Sequence, residues 1–318
     1  MRQDGVVYIG VDVSKDTLDI DAGDLGASRI RNAPADIRRA LAALARKADP
    51  GTRPHVCFEH TGPYTAALAA ACQAQALPHS ILNPYKVSCF AKAVASAKTD
   101  RIDAAVIRRF AESGEPEPAP PPSKARAGLD ELIAARDLAV RGLAACRALL
   151  ATLTSPCAIR RVRRDIAAAG RSVAGYGRLI GEAVAADGEL AGLTAALETV
   201  KGVGALTAAR LAAWMPELGA LGRRRAAKLA GLAPYTRQSG KWKGHTWIGG
   251  GRKRVRDALF MPATVARTHD PHLRRIYDGL RARGKPYKVA MTAVMRRFIC
   301  HLDAVARAYY AGRGDAKA

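Results

Sequence analysis

Val6-Val-Tyr-Ile-Gly-Val-Asp-Val13 is the stretch on which the fold turns. It is a short apolar run rich in β-branched residues, closed by Ser14-Lys15, and it reads as a buried strand. One acid, Asp12, stands inside it, where a carboxylate is costly unless something satisfies it. Working outward, Thr17–Gly23 (TLDIDAG) alternates apolar and polar residues as a second strand, and a third short strand is expected near Ser28–Arg31. Ala35–Ala48 sets Ile37, Leu41 and Leu44 at helical spacing and stops at Asp49-Pro50-Gly51. His55–Gly62 (HVCFEHTG) repeats the buried-strand pattern, with Glu59 toward its end. A helix over Tyr64–Ala76, a short strand at Ser80–Leu82 and a helix across Asp100–Ala111 follow. Strands first, then alternation of strand and helix, predict a mixed sheet flanked by helices, an α/β domain over residues 1–120.

Glu115-Pro-Glu-Pro-Ala-Pro-Pro-Pro122 favours an extended polyproline linker, and the domain boundary is placed there. Beyond it, Leu129, Leu132, Arg136, Ala139, Leu143, Cys146, Leu150 and Leu153 alternate spacings of three and four, a heptad seam that needs a partner. That partner is either another helix of the chain or the same helix of a second subunit. Pro156 ends this helix, and a second is expected over Ala158–Ala169. Residues 121–190 thus form a linker and a helical coiled-coil dimerisation region. Residues 191–318 form a basic, mainly helical domain with Gly-rich breaks. One break, Val200-Lys201-Gly202-Val203-Gly204, is either an ordinary helix–helix turn or a turn offering backbone N–H groups to a phosphate. Another, Arg237–Arg254 (RQSGKWKGHTWIGGGRKR), mixes glycine, basic residues and two tryptophans without periodicity, and reads as a loop able to follow a phosphate backbone.

The 318 residues suffice for about two domains. Lys and Arg number 51 against 28 Asp and Glu, a formal charge of +23. The excess is uneven: residues 1–120 carry 15 basic and 14 acidic side chains, residues 121–200 carry 11 and 8, and residues 201–318 carry 25 and 6. A C-terminal third this basic expects a polyanion such as DNA or RNA. No apolar run is long enough to span a bilayer and no signal-peptide layout opens the chain, so a cytoplasmic protein without a membrane partner is expected. Six scattered cysteines, with no Cys-x-x-Cys pair, indicate neither zinc nor a disulfide framework and read as small apolar residues.

Phosphodiester cleavage commonly uses divalent cations held by carboxylates. Asp12 and Glu59 at strand ends, with Asp100 and Asp103 three apart on a helix face, would make a two-metal cage. Each acid also has a structural reading: Asp12 at a sheet edge or bonded to a turn, Asp100 as an N-cap, Asp103 in the first helical turn. His60 is either an outer partner of Glu59 or a bystander. Ser239, followed by Gly240, is a candidate nucleophile with Arg237, Lys241 and Lys243 nearby to stabilise a phosphorane; Ser-Gly is otherwise a turn. Arg252, Lys253 and Arg254 join Lys201, Gly202 and Gly204 as candidate nucleic-acid contacts. His269 and His272, around Asp270-Pro271, read as a polar loop.

Five motifs occur in one order: IGVDVSKDTLDI (9–20), FEHTGPYTAALA (58–69), NPYKVSCFAKAVASAKTDRIDA (83–104), VKGVGALTAARL (200–211) and GLAPYTRQSGKWKG (231–244). Together they resemble the insertion-sequence transposases that join a RuvC-like Asp-Glu-Asp-Asp domain to a serine-bearing transposase domain. These are related to pilin-gene DNA invertases, and members are bridge-RNA-guided recombinases. The resemblance runs from about residue 5 to residue 311. It implies an RNase H-like N-terminal domain in which Asp12, Glu59, Asp100 and Asp103 hold Mg²⁺. It further implies that Ser239 forms a transient phosphoserine bond with DNA. The partners implied are donor and target DNA, a structured non-coding guide RNA, and further copies of the chain as a dimer or, on DNA, a tetramer. A bacterial cytoplasmic enzyme, associated with the nucleoid when acting, is implied as well. Two other functions compete: a metal-dependent, structure-selective nuclease of the Holliday-junction-resolvase kind using water, and a basic binding protein whose acids are structural.

Overall fold

The computed structural model describes residues 5–59, 62–94, 104–114, 116, 123–239 and 242–314, with the side chains of Pro63, Arg237, Trp242, Lys243 and His245 also outside the description. The chain divides into two compact units, Met1–Pro121 and Pro122–Ala318.

In the first unit, β1 (Val6–Val13) runs antiparallel to β2 (Thr17–Asp21), which pairs antiparallel with β3 (Ala27–Arg31). After α1 (Pro34–Lys47), β4 (Arg53–Glu59) returns parallel to β1; after α2 (Ala66–Ala74), β5 (His79–Leu82) lies parallel to β4. The sheet order is β3-β2-β1-β4-β5. Alternation along β1 sorts the two faces. Ile9, Val11 and Val13 join Val56 and Phe58 of β4 in a core with Ile37 and Leu41 of α1 and Leu68 of α2. The opposite face packs Cys57 and Leu82 against α3 (Pro84–Val94) and α4 (Ala104–Gly114) through Val87, Ile107 and Ala111.

The helix α3 was not expected from the sequence. It buries Val87 alone among its described residues, so its apolar stripe is weak. Its signal was the Asn83-Pro84 start, where the Asn83 side chain accepts the N–H groups of Tyr85 and Lys86. Residues 100–103, the start of the helix expected over Asp100–Ala111, lie outside the described residues.

Gly10 sets how closely α4 sits on the sheet. A Cβ there would lie 2.1 Å from the Ala104 carbonyl oxygen and 2.6 Å from the Arg108 backbone nitrogen. Arg108 then ties α4 to β2, its Nε donating to Asp21 at 2.6 Å and its Nη1 to Glu112 at 2.5 Å. Gly10→Ala is expected to destabilise the first unit by about 1–3 kcal/mol through overpacking. A chemical-denaturation midpoint unchanged by the substitution would show that α4 is not held by this contact.

The second unit begins with a helical hairpin, α5 (Lys124–Leu150) and α6 (Pro156–Ala185). Every position of the heptad seam from Leu129 to Leu153 is buried or half-buried. The two helices pack along one another, and α6 brings its own stripe of Val162, Ile166, Val173 and Ile180. The seam therefore has a partner within the chain. The second helix extends far past the expected Ala169. Gly170, Gly175, Gly177 and Gly181 each weaken a helix by roughly 1 kcal/mol, which argues for an early stop, but packing against α5 overrides that propensity.

Leu129, Ile133 and Ile180 at the hairpin base join a core built from α7 (Gly188–Glu198), α8 (Ala205–Trp214), α9 (Gly222–Leu229), α10 (Lys253–His269), α11 (Pro271–Ala282) and α12 (Tyr287–Gly312). Two buried charges order this core. Arg126 of α5 donates to the Ala212 carbonyl and, at 2.7 Å, to Glu189, which also accepts Tyr310 Oη at 2.8 Å. Asp303 of α12, 2% exposed, accepts the backbone N–H of Gly219 and of Gly222 at 2.9 Å each and Arg307 at 2.7 Å, fixing the turn that starts α9.

The segment Arg237–Arg254 is not the expected loop. Between α9 and α10 the chain forms an antiparallel hairpin, β6 (Pro234–Ser239) with β7 (Trp242–Ile248), and α10 starts at Lys253. Tyr235 stacks across the ribbon on Trp247, with centroids 6.3 Å apart, and Thr236 bonds Thr246 at 3.2 Å. These cross-strand pairs hold a ribbon whose Gly and Lys content hides strand alternation in the sequence. The cysteines also divide: Cys57 and Cys72 are buried, their thiols pushed by burial to about 12, while Cys89 and Cys157 are exposed and are not core residues.

Candidate active site and nucleic-acid interface

In the first unit, parallel pairing sets Val11 of β1 beside Phe58 of β4, so Asp12 and Glu59 are the next residues on two neighbouring strands, at their C-terminal ends. By alternation both carboxylates belong to the face that α4 covers, and both are half-buried. Burial, and the neighbouring charge of Asp12, push the Glu59 carboxyl above its ordinary range. Glu59 Oε1 is buried without a hydrogen-bond partner. A carboxylate oxygen left this way beside a second carboxylate is destabilised, and a bound hard cation would relieve both.

A third acid joins them. Asp19 of β2 is the cross-strand partner of Asp12, a juxtaposition that repels. Arg29 of β3 offsets it with two bonds to Asp19, 2.6 and 2.8 Å. Asp19 and Arg29 were missed in the sequence; the signal was Asp19 standing on the same face of an alternating strand as Asp21. Gly10 was missed too, although an isolated glycine inside an apolar strand marks a close approach. Asp100 and Asp103 fall outside the described residues; Asp103 immediately precedes Ala104, the residue packed over Gly10. Among the described residues, no three His, Cys, Asp or Glu side chains converge to hold a metal ion. Asp12 and Glu59 fit a hard divalent cation in chemistry but need further oxygen ligands.

In the second unit, Ser239 is the last residue of β6, exposed, and pairs with Trp242. The register slips between Thr236 and Gln238, leaving two residues of β7 opposite Arg237. Such a bulge re-aims the end of a ribbon. Gly240 and Lys241, between the strands, lie outside the described residues, as do the side chains of Arg237 and Lys243.

The run Arg252–Arg254 has partners within the chain. Arg252 grips Glu217 through two bonds of 2.6 and 2.7 Å and reaches the Trp214 carbonyl at 2.8 Å. Burial works most strongly against the Glu217 charge, but the Arg252 bond and charge, a backbone hydrogen bond and the charge of Arg126 together outweigh it, holding that carboxyl below its usual range. Arg254 bonds both oxygens of Asp130 and lies 4.9 Å from the Trp214 ring centre, while Lys253 reaches Asp257 at 2.5 Å. Gly202, at φ +95°, sits where a Cβ would meet the Pro262 carbonyl of α10 at 2.5 Å, so close packing alone already requires glycine there. Gly204 caps α8 and Lys201 is exposed. Exposed cations of the unit include Arg223, Arg224, Arg225 and Lys228 on α9 and Arg296 and Arg297 on α12.

Residues 9–155 match a family of DEDD transposases of the IS110 type, described as Transposase, and residues 194–278 match the Transposase IS116/IS110/IS902 family. The chain carries both domains of IS110-type transposases and is a DNA transposase or recombinase. Along most of its length it is similar to the pilin gene-inverting proteins of Moraxella lacunata and Moraxella bovis. It is 27% identical to each over 310 residues, 94% of this chain and 95% of the relative. It is also 38% identical over 82 residues to the Insertion element IS110 uncharacterized 43.6 kDa protein of Streptomyces coelicolor, covering 26% of this chain and 20% of that one. The DEDD domain points to dependence on a divalent metal. Among the described residues, no helix is long and apolar enough to cross a membrane.

Proposed function

We propose that the protein is an RNA-guided DNA transposase or recombinase that cuts and rejoins DNA through a phosphoserine at Ser239, assisted by Mg²⁺. The observation that carries this reading is the pairing of Asp12 and Glu59 on adjacent parallel strands, with a buried Glu59 oxygen lacking a partner. Asp100 and Asp103, just ahead of α4, complete the acidic set. The strand order β3-β2-β1-β4-β5, antiparallel then parallel, supports an RNase H-like first unit. When bound, Mg²⁺ would neutralise charge on the reacting phosphate.

The Ser239 hydroxyl attacks phosphorus, forming a P–Oγ bond as the bond to a deoxyribose oxygen breaks. The serine proton passes to a base and the departing oxygen gains one. Attack by a second DNA hydroxyl on the phosphoserine reverses these changes and rejoins the backbone without an external energy source. Arg237, Lys241 and Lys243 flank the serine in sequence and would stabilise the phosphorane. Lys201, Gly202 and Gly204 would meet a backbone phosphate, and Arg252, Lys253 and Arg254 would act near DNA while anchored in the protein.

Sequence choice would come from a structured non-coding RNA, bound with donor and target DNA by the +19 region at residues 201–318. Because α6 covers the heptad seam, a dimer, or a tetramer on DNA, would use the outer hairpin surface, where Leu138, Leu149 and Leu179 are exposed. The enzyme would work in the bacterial cytoplasm, at the nucleoid. A second reading is favoured by the same acidic pair: a structure-selective nuclease in which water attacks, since the DEDD domain suits that chemistry equally.

Covalent trapping separates the two. Protein co-expressed with RNA from its own element is mixed with labelled donor and target DNA and Mg²⁺, then denatured and run on a gel. A protein–DNA band that EDTA removes is expected. Cut DNA with no such band, even in rapid quench, would favour the water-using nuclease.

A further inference from the structure

Two adjoining cavities in the second unit are untouched by this mechanism, apart from Lys201. The larger, about 1060 Å³, is an open groove walled by β7, α10, α11 and the first half of α12. Met291 and Met295 line its apolar part, and Trp247, Phe260 and Tyr287 stand along it, left 51%, 37% and 42% exposed. The smaller, about 720 Å³, has a mixed lining that includes Lys201, His269, His272 and His301 with one acid, Asp270. Arg223 and Arg297 line both, so an arginine ridge joins a cationic cavity to an aromatic one. Lys288, Arg256 and Arg296 add charge along the aromatic groove against one acid, Asp257, which Lys253 already pairs.

We infer that this double groove holds an unpaired DNA strand, its bases against Trp247, Phe260 and Tyr287 and its phosphates on Arg223, Arg297 and the histidine-lined side. Three partly exposed aromatic rings along one groove offer faces on which bases can stack. Cations beside aromatic rings repeat the chemistry of a nucleotide, a phosphate beside a π-face, and this is how single strands are held without sequence preference. A duplex keeps its base faces stacked inside and presents no π-surface to the groove. A second copy of the chain would bring another strongly positive surface to a positive rim, which repels. The choice of DNA rests on the proposed function: the groove wall at Thr246 and Trp247 belongs to the ribbon that ends at Ser239. Trp247 and Trp242, the Ser239 partner, are roughly 17 Å apart along β7, so the strand held there would lead to the reacting phosphate.

Fluorescence anisotropy with the full-length protein in EDTA tests this without catalysis, using a labelled twelve-nucleotide oligo-dT, an oligo-rU of equal length and a duplex. Trp247→Ala and Tyr287→Ala are each expected to weaken oligo-dT binding by about fivefold or more while leaving duplex binding within about twofold. Arg297→Gln should flatten the salt dependence by about one phosphate contact. Since Trp247 also stacks on Tyr235, Tyr287→Ala on the opposite wall carries equal weight, with circular dichroism confirming the fold of each variant. Unchanged oligo-dT affinity in the folded variants would overturn the inference. Equal losses on duplex, losses confined to oligo-rU, or a changed sedimentation coefficient without lost DNA binding would overturn it as well, the last two pointing to RNA or a second copy. Strand transfer assayed separately with Ser239→Ala distinguishes the two claims: transfer by that variant would remove the nucleophile and leave the groove result standing.

Discussion

Ser239→Ala is expected to lower strand exchange by at least about 10⁴-fold and to abolish the covalent protein–DNA band, because no neighbouring group replaces a lost nucleophile. The placement of Ser239 makes the experiment clean. It is the exposed final residue of β6, outside the cores of the second unit, so removing its hydroxyl leaves the ribbon's supports, the Tyr235–Trp247 stack and the Thr236–Thr246 bond, in place. The melting temperature should therefore move by less than about 2 °C. Ser239→Cys gives a second reading, since a thiolate is a different nucleophile toward phosphorus, and its adduct should form more slowly. Full strand exchange by the Ala variant would rule out Ser239 as the nucleophile, whereas cut but unjoined DNA would place water at the acidic pair.

Glu59→Gln is expected to abolish metal-dependent DNA cleavage, by about 10³-fold or more, and at the same time to stabilise the metal-free protein. The physical reason is the crowding of Asp12 and Glu59 on adjacent strand ends, where burial and the Asp12 charge raise the Glu59 pKa. A carboxyl raised in the folded state destabilises it when ionised. That penalty is present above the raised value and is relieved as pH falls toward and below the ordinary 4.5. The Gln variant removes it at neutral pH. In EDTA the variant should therefore melt above the wild type, and the difference should shrink as pH falls. Mg²⁺ should raise the melting temperature of the wild type and not of the variant, and its effect should fade as pH drops into the window where Glu59 protonates. A variant no more stable than wild type in EDTA, yet still stabilised by Mg²⁺, would remove Glu59 from the metal site.

Much of this was legible in the sequence wherever a single element carried its own signal. The strand at Val6–Val13, the alternation at Thr17–Asp21 and the helix carrying Ile37, Leu41 and Leu44 need only local periodicity to be seen. The acids Asp12 and Glu59 stood out because a carboxylate inside an apolar run asks for an explanation. What stayed hidden depended on a second element. The ribbon β6–β7 is held by pairs ten and twelve residues apart, Thr236 with Thr246 and Tyr235 with Trp247, while its Gly and Lys content argues locally for a loop. The extension of α6 past Gly170 required α5 beside it.

The sequence by itself determined the order of elements from β1 to β5, the acids Asp12 and Glu59, the charge excess in the last third and the break at the proline run, because composition and periodicity are properties of contiguous residues. Only the tertiary structure decided that Asp12 and Glu59 become neighbours, that Asp19 joins them and that Arg29 answers it, since strand register settles which side chains share a face. It likewise decided which cations are engaged. Arg252 and Arg254 meet Glu217 and Asp130 from distant parts of the chain, whereas Arg223 and Arg297 come together along an aromatic groove, and charge counted along a sequence does not distinguish one from the other.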